Sequence, residues 1–241
     1  MIKLIVQITK LIIATLAAML VVSCGNFNSI SGDGNVTTTK RRVDSFTAIK
    51  AKNGLEVHLK QGNTTYVEVE ADANLQDHIF TVVENGTLEV YCDTNIYKSI
   101  AKKVFVEVPN LNSISASSGV SIESENELAF NDLKIDASSG SNVKLNIKSQ
   151  VLTCDGSSGS LIQLLGSADN VSTNSSSGSS INLSELIANN VDADASSGSS
   201  TTVNASKKLK AEASSGSSIN YVSNPTDVSV NESSGGSISR K

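Results

Sequence analysis

The stretch IDASSGSNVKLN, residues 135–146, decides the fold. Its centre, Ser-Ser-Gly, occurs seven times, with glycines at positions 119, 140, 159, 178, 198, 216 and 235. The intervals are 21, 19, 19, 20, 18 and 19 residues. A period near 20 residues marks a repeat architecture. Three residues after the glycines stand Ile122, Val143, Ile162, Ile181, Thr201, Ile219 and Ile238. Five after them stand Ser124, Leu145, Leu164, Leu183, Val203, Tyr221 and Arg240. Seven before them, from the second repeat on, stand Leu133, Leu152, Val171, Val191, Leu209 and Val228; five before stand Ile114, Ile135, Cys154, Thr173, Ala193, Ala211 and Val230. All these offsets are odd. Alternation of this kind means strand, with odd positions inward and even positions outward.

Strands that recur with the same face inward have one economical arrangement. Each repeat is one coil of a β-solenoid, and equivalent strands stack in parallel at ~4.8 Å, so seven coils make a rod of roughly 34 Å. No coil buries its apolar face alone; the stack supplies the core. Ser-Ser-Gly-Ser then falls between two strand runs of one coil. Small side chains and a glycine let the backbone bend there, and hydroxyls one step apart are placed to hydrogen-bond along the ladder. In the last coil Glu232 and Arg240 occupy columns that are otherwise apolar or small. Charges there suit a terminal coil that meets solvent and deter another chain from adding on.

The repeat region covers residues 111–241, and the 43–110 region ahead of it is β-like without the Ser-Ser-Gly word. FTAIKA, LEVHLK, YVEVEA, FTVVE, TLEVYC and KVFVEV alternate apolar and polar. Asn85-Gly86 reads as a hairpin turn, and residues 72–79 as a short helical turn. The expected fold is all-β: a parallel β-helix with an N-terminal β-meander over residues 43–110 that caps the solenoid or supplies its first coils.

The chain has 241 residues, a formal charge of -5, 4% aromatics and no Trp. An acidic balance argues against nucleic acid, which needs a basic face. Lys3 and Lys10 precede an uncharged apolar run, Leu11 to Val22, which is too short to span ~30 Å of hydrocarbon and fits a signal segment. It ends in Val21-Val22-Ser23-Cys24, which resembles a bacterial lipobox. Residues 1–23 are therefore expected to be a lipoprotein signal peptide, with Cys24 the acylated first residue, carrying chains such as palmitate. Gly25 after it points to the outer membrane, by analogy with sorting in enteric bacteria. Residues 24–42 are rich in Gly, Asn, Ser and Thr and read as a flexible tether.

Function has two places to reside in the repeat. The outward serines Ser138, Ser157, Ser176, Ser196 and Ser214 form one column. Four residues before the glycines, Asp136, Asp155, Asp194 and Glu212 form a second, with Ser115, Asn174 and Asn231 in the same row. Together they are the expected binding face. Like charges stacked ~5 Å apart repel, and a calcium ion would relieve that. The calcium-binding nonapeptide of β-rolls is absent, and no metal ligand set is assigned. Cys92 and Cys154 read as two small buried hydrophobes in preference to a disulfide.

A catalytic role finds little support. His58 alternates with Val57 and Leu59 and so turns outward, and His78 lies in a loop-like stretch. Neither belongs to a Ser-His-Asp order. Asp136 and Asp155 are the nearest approach to a glycosidase carboxylate pair, on a face poor in aromatics. No phosphate loop and no CxxC is present, and no cofactor is expected.

Several short motifs carry a resemblance. GDGNV (32–36), VDSFTAIKAKNGLEVHLKQG (43–62), YVEVEADANLQDHI (66–79), ENGTLEV (84–90) and VFVEVPNLNSISASSG (104–119) resemble the auto-transporter adhesin head GIN domain family. The resemblance runs from about residue 32 to the end of the chain. It implies a single-stranded right-handed β-helix with an irregular N-terminal part, in exported proteins and lipoproteins of Bacteroidetes-type bacteria. It brings no catalytic residues, and Asp33 stands where that family more often has Ser. The expected function is a lipid-anchored cell-envelope β-helix, a non-catalytic adhesin or surface binding module. Its partners would be membrane lipid through Cys24 and a glycan or protein on the outward face. A structural or regulatory protein that binds a partner protein through its cap is the alternative, and a carbohydrate-active enzyme the remote one.

Overall fold

The structure, a computed structural model, describes residue 10 and residues 29–241. The expected signal peptide apart from Lys10, the acylation site Cys24 and residues 25–28 lie outside the described residues. The N-terminal strands are β1 (Ser29–Ser31), β2 (Val36–Arg41), β3 (Ala48–Ala51), β4 (Glu56–Gln61), β5 (Tyr66–Asp72), β6 (Ile79–Glu84), β7 (Thr87–Cys92), β8 (Asn95–Lys98) and β9 (Lys102–Val108). The repeat region supplies β10 (Ser113–Ala116), β11 (Ser121–Ser124), β12 (Leu128–Ala137), β13 (Asn142–Gly156), β14 (Leu161–Ser175) and β15 (Ser180–Ala195). It ends with β16 (Ser200–Val203), β17 (Ala205–Ala213), β18 (Ser218–Tyr221), β19 (Asp227–Glu232) and β20 (Ser237–Arg240). A 3₁₀ turn at Ala73–Leu75 falls within the stretch expected to be helical.

The coils stack in parallel as the period requires. Ile135, Cys154, Thr173, Ala193, Ala211 and Val230 are successive partners down one ladder. Ile122, Val143, Ile162, Ile181, Thr201 and Ile219 form another, each at most 1% exposed. Each coil has two strand runs, one before the Ser-Ser-Gly turn and one after. Away from the turn the parity changes by one residue: Gln150-Val151 and Asp169-Asn170 both face outward in succession. That shift lets both runs keep their apolar side inward. Burying each large aliphatic side chain contributes about 1.5–3 kcal/mol, so the stacked ladders supply most of the cohesion.

The Ser-Ser-Gly-Ser word makes a tight turn at each corner. Its second serine and its glycine are both left-handed, for example Ser139 at φ 52° and Gly140 at φ 69°. Two successive residues at positive φ are what a type I′ turn demands. The Ser141 amide donates to the Ser138 carbonyl and closes the turn at 3.2 Å. The Gly140 amide donates to Ser158 of the next coil at 3.1 Å, so the turns themselves are laddered.

The serine after the glycine is buried. The Ser160 hydroxyl donates to the Ala137 carbonyl of the preceding coil at 2.9 Å and accepts from the Ser157 amide at 3.1 Å. Ser141, Ser179 and Ser217 repeat the arrangement. Hydroxyls were expected to bond one another along the ladder; for the most part they bond backbone carbonyls. A side-chain hydroxyl reaches a carbonyl one layer away more readily than it reaches a hydroxyl two bonds further out. The clearest exception is Ser175, whose hydroxyl meets Ser199 at 3.0 Å and Thr201 at 2.7 Å.

The N-terminal region both begins the solenoid and covers its end. β3 and β4 form a coil of the solenoid, joined by Lys52-Asn53-Gly54-Leu55 with Asn53 at φ 66° and Gly54 at φ 67°. Asn-Gly replaces Ser-Gly in the same turn, and Ile49, Ala51, Val57 and Leu59 occupy the inward columns. This coil is sandwiched between β10–β11 on one side and β7–β9 on the other. The chain thus leaves the stack after β4, builds the outer layer, and returns on the other side. Antiparallel strands then finish the end: β5 and β2 beyond β9, and β6 beyond β7.

Part of the stretch expected as a tether is strand. Residues 29–31 form β1 beside β8, and residues 36–41 form β2 on β5. Gly, Asn and Ser at 25–35 suggested flexibility, but the β-branched run Val36-Thr37-Thr38-Thr39 pairs with a strand edge that composition cannot reveal. Asp72 fixes the join. Its buried carboxylate accepts from the amides of Gly34 (2.7 Å), Ile100 (2.8 Å) and Ala101 (3.1 Å). A Cβ at Gly32 would sit 2.5 Å from that carboxylate, so the GDGN stretch needs glycine there.

At the other end the last coil is open. Glu232 lies in an inward column, and its carboxylate accepts from the Ile238 amide across the turn. Ile238 alternates with Ser237, whose amide bonds the preceding coil, so its own amide faces the missing next layer. Glu232 therefore satisfies an amide of the last strand that no neighbouring strand meets among the described residues.

Candidate binding face

The acidic row assembles as the repeat spacing predicts. Ser115, Asp136, Asp155, Asn174, Asp194, Glu212 and Asn231 are successive Cα partners. Lysine and asparagine side chains relieve their repulsion. Lys134 lies 3.3 Å from Asp136 and 3.4 Å from Asp155, and the Asn174 amide donates to Asp155 at 2.9 Å. Lys210 lies 3.1 Å from Glu212 and 3.3 Å from Asp192. Among the described residues no group of three or more His, Cys, Asp or Glu is placed to hold a metal ion.

The row is divided electrostatically. Burial raises the Asp136 carboxyl above its usual range, with Asp155 adding to the rise and Lys134 opposing it. Burial raises Asp194 as well, followed by the negative charges of Asp192 and Glu212. Among the described residues Asp194 has no cation in hydrogen-bond contact; Lys210 acts on it only from a distance.

Ser176, Ser196 and Ser214 join Asp194 and Glu212 in one groove of about 330 Å³, completed by Asn174, Asn231 and Ser233. The first serine of the word is half-buried in every coil but the last, where Ser233 is exposed, and its hydroxyl has no hydrogen-bond partner among the described residues. Ser138, Ser157, Asp136 and Asp155 lie in the same rows but outside this groove, beside Lys134. The first-serine hydroxyls are therefore free in both parts, Lys134 pairs with Asp136 and Asp155, Lys210 pairs with Glu212, and Asp194 is the carboxylate of the row's four acids without a cation in contact.

A second cleft was not visible in the sequence. At the corner opposite the turns, Phe130, Ser149, Ala168, Ile187, Lys148 and Asp169 are among the residues lining about 600 Å³. Its one available signal was Ile187, an outward aliphatic in a row otherwise of Ala129, Lys148 and Ser167.

The cysteines and histidines lie outside the groove of Ser176, Ser196 and Ser214. Cys92 and Cys154 are both free and buried. Burial raises the Cys154 thiol far above its usual range, with Asp155 and Asp136 adding to the rise. His58 faces outward as alternation predicts, but it stacks on Phe105 at 5.0 Å and its Nε2 is buried without a partner among the described residues. His78 pairs with Asp93 at 2.9 Å.

Residues 45–225 match the family model described as "Putative auto-transporter adhesin, head GIN domain". The chain belongs to this family. Among curated proteins, none matches. Solved structures share the fold. A crystal structure of a "putative adhesin" from Bacteroides fragilis has a TM-score of 0.83 at 24% identity, covering 88% of this chain and 100% of that one. A "putative lipid binding protein" from Parabacteroides distasonis has a TM-score of 0.73 at 21% identity, covering 89% and 100%. A "putative adhesin" from Parabacteroides merdae gives 0.67 at 17% identity, covering 88% and 99%. Membership in the head GIN family points to a protein of the cell surface or envelope. Among the described residues no helix is long and apolar enough to cross a membrane.

Proposed function

We propose that this head GIN protein is a non-catalytic adhesive module, acylated at Cys24, that binds a hydroxyl-rich polymer such as a glycan along its outward serine and acidic rows. The groove of Ser176, Ser196, Ser214, Asp194 and Glu212 carries the proposal. Its serine hydroxyls are unpartnered among the described residues and recur at the coil spacing of ~4.8 Å. A rigid row of donors and acceptors at fixed spacing is complementary to a polymer whose own hydroxyls repeat. Preorganisation lowers the entropic cost of binding such a ligand. The family description as an adhesin supports the same reading.

The test is a glycan array probed with the wild-type protein and with a Ser176→Ala, Ser196→Ala, Ser214→Ala, Asp194→Asn variant. Loss of binding with an unchanged circular dichroism spectrum is expected. Unchanged binding would move function off this face. Protease shaving of intact cells gives the orientation: clipping is expected for an adhesin, and complete protection would exclude direct contact with a surface outside the cell.

A further inference from the structure

We propose that the N-terminal end of the solenoid seats on the lipid surface through the loop that carries Tyr97 and Ile100. In an ordinary layer, four residues cross the turn corner: Lys52 to Leu55 connect Ala51 with Glu56. In the outermost parallel layer, that of β7 and β9, the same corner is expanded. Val90 pairs with Ala51 and Lys103 with Glu56, so residues 91–102 make the crossing. The added chain forms β8 and projects the two most exposed large hydrophobic side chains among the described residues, Tyr97 at 80% and Ile100 at 70%. Ile96, which alternates with Tyr97, packs back on the core, so Tyr97 is directed away from the protein.

The loop is rigidly held. Asp72 accepts from the Ile100 and Ala101 amides, and the Gly32 amide donates to the Lys98 carbonyl at 2.7 Å. Ile100 is thus displayed by a buried carboxylate instead of folding onto the core. Val36, also exposed, is the strand partner of Asp72 and belongs to the same end. Lys98 stands between the two apolar residues, exposed and without an ion pair among the described residues. A tyrosine, an aliphatic and a lysine together suit the headgroup boundary of a bilayer with anionic lipid.

The position of the anchor selects this occupant, and here the inference rests on the acylation of Cys24 proposed above. Ser29 is the strand partner of Asn95 in β8. Five residue steps separate Cys24 from Ser29, a reach of at most about 17 Å. Acyl chains at Cys24 would therefore keep this end of the rod within about 17 Å of the membrane. Nine stacked layers, β7-β3-β10-β12-β13-β14-β15-β17-β19, then rise from it. At ~4.8 Å per layer the groove around Glu212 would stand roughly 30 Å above the lipid.

The chain contains no Trp, so a single introduced one reports its surroundings. Full-length Tyr97→Trp and Ile187→Trp proteins are purified from membranes and placed in vesicles of phosphatidylethanolamine and phosphatidylglycerol with brominated acyl chains. Mass spectrometry of the N-terminal peptide records the lipid on Cys24. The expected result is blue-shifted emission and about twofold or greater quenching for the Tyr97→Trp protein, with the Ile187→Trp protein unaffected. Unquenched emission from a lipidated, vesicle-bound Tyr97→Trp protein overturns the inference and leaves the anchor standing, with a protein partner then the better occupant for the loop. Equal quenching at both positions overturns it in favour of a rod lying flat. A Cys24 without lipid refutes the anchor and, with it, the inference.

Discussion

The two serines that flank each turn look alike in sequence and should behave in opposite ways when replaced. The fourth residue of the word is buried: Ser141, Ser160 and Ser179 are each at most 2% exposed. Each hydroxyl donates to a carbonyl of the preceding coil at 2.9–3.0 Å and accepts from the amide that begins its own turn at 3.1 Å. Replacing one with Ala orphans nothing, because the amide and the carbonyl also bond each other: Ser157 to Ala137 at 3.0 Å is one such pair. The loss is therefore the net value of a hydrogen bond, about 1 kcal/mol, and not the larger penalty of a stranded buried group. The triple variant Ser141→Ala, Ser160→Ala, Ser179→Ala should lose about 3 kcal/mol, or roughly 6–12 °C in melting temperature. The matched control is Ser138→Ala, Ser157→Ala, Ser176→Ala, whose hydroxyls make no hydrogen bond among the described residues. It should melt with the wild type to within about 0.5 kcal/mol. Urea unfolding followed by circular dichroism measures both. Equal losses in the two variants, or a loss in the first below that of the second, would refute the division of the word into a structural serine and a free one.

Gly166 should be far less tolerant than the turn glycines. A Cβ there would lie 2.0 Å from the Ile147 carbonyl, whereas at Gly178 it would meet nothing within 4 Å. Gly178→Ala should cost about 1–2 kcal/mol for its left-handed backbone, and Gly166→Ala more than about 4 kcal/mol, by chemical denaturation. Asp72 should shape the acid limb of stability. Burial pushes its carboxyl up, but the amides of Ala101, Ile100 and Gly34 outweigh that and leave it below the ordinary aspartate value of 3.8. Its contribution is complete above that value and is lost as pH falls through the lower folded one. Asp72→Ala should flatten this part of the pH profile and cost about 3 kcal/mol at neutral pH. Asp194 has the opposite sign, its carboxyl raised in the folded protein. Stability should fall as pH rises through its titration, and Asp194→Asn should melt slightly higher than wild type at pH 7. Cys154 should resist iodoacetamide at pH 8 in the native protein and react once denatured, as peptide mass spectrometry would show.

The outward rows were legible because a fixed period converts offset into position: Asp155 lies over Asp136 for the same reason that Cys154 lies over Ile135. The coil of β3 and β4 was equally present in the text, as Ile49, Ala51, Val57 and Leu59 around Asn53-Gly54. Its turn lacks the serine word, but the turn requires only two left-handed residues, and Asn-Gly meets that need as well as Ser-Gly. Its neighbours were not legible, since β7 and β9 come later in the chain than the coil they cover.

The period, the inward columns and hence a parallel β-solenoid follow from the order of residues alone, because burial of one strand face leaves a mark every second residue and every coil. So does the membership of each row. Which serine of the word is buried, which acids the lysines neutralise, and where free hydroxyls and a free carboxylate meet in one groove emerge only when the layers are stacked. Folding likewise brings Ser29 beside Asn95 and sets Tyr97 and Ile100 at the end of the rod where the chain begins. Those outcomes depend on contacts between layers and on a chain that doubles back across its own stack, and neither leaves a local pattern in the order of residues.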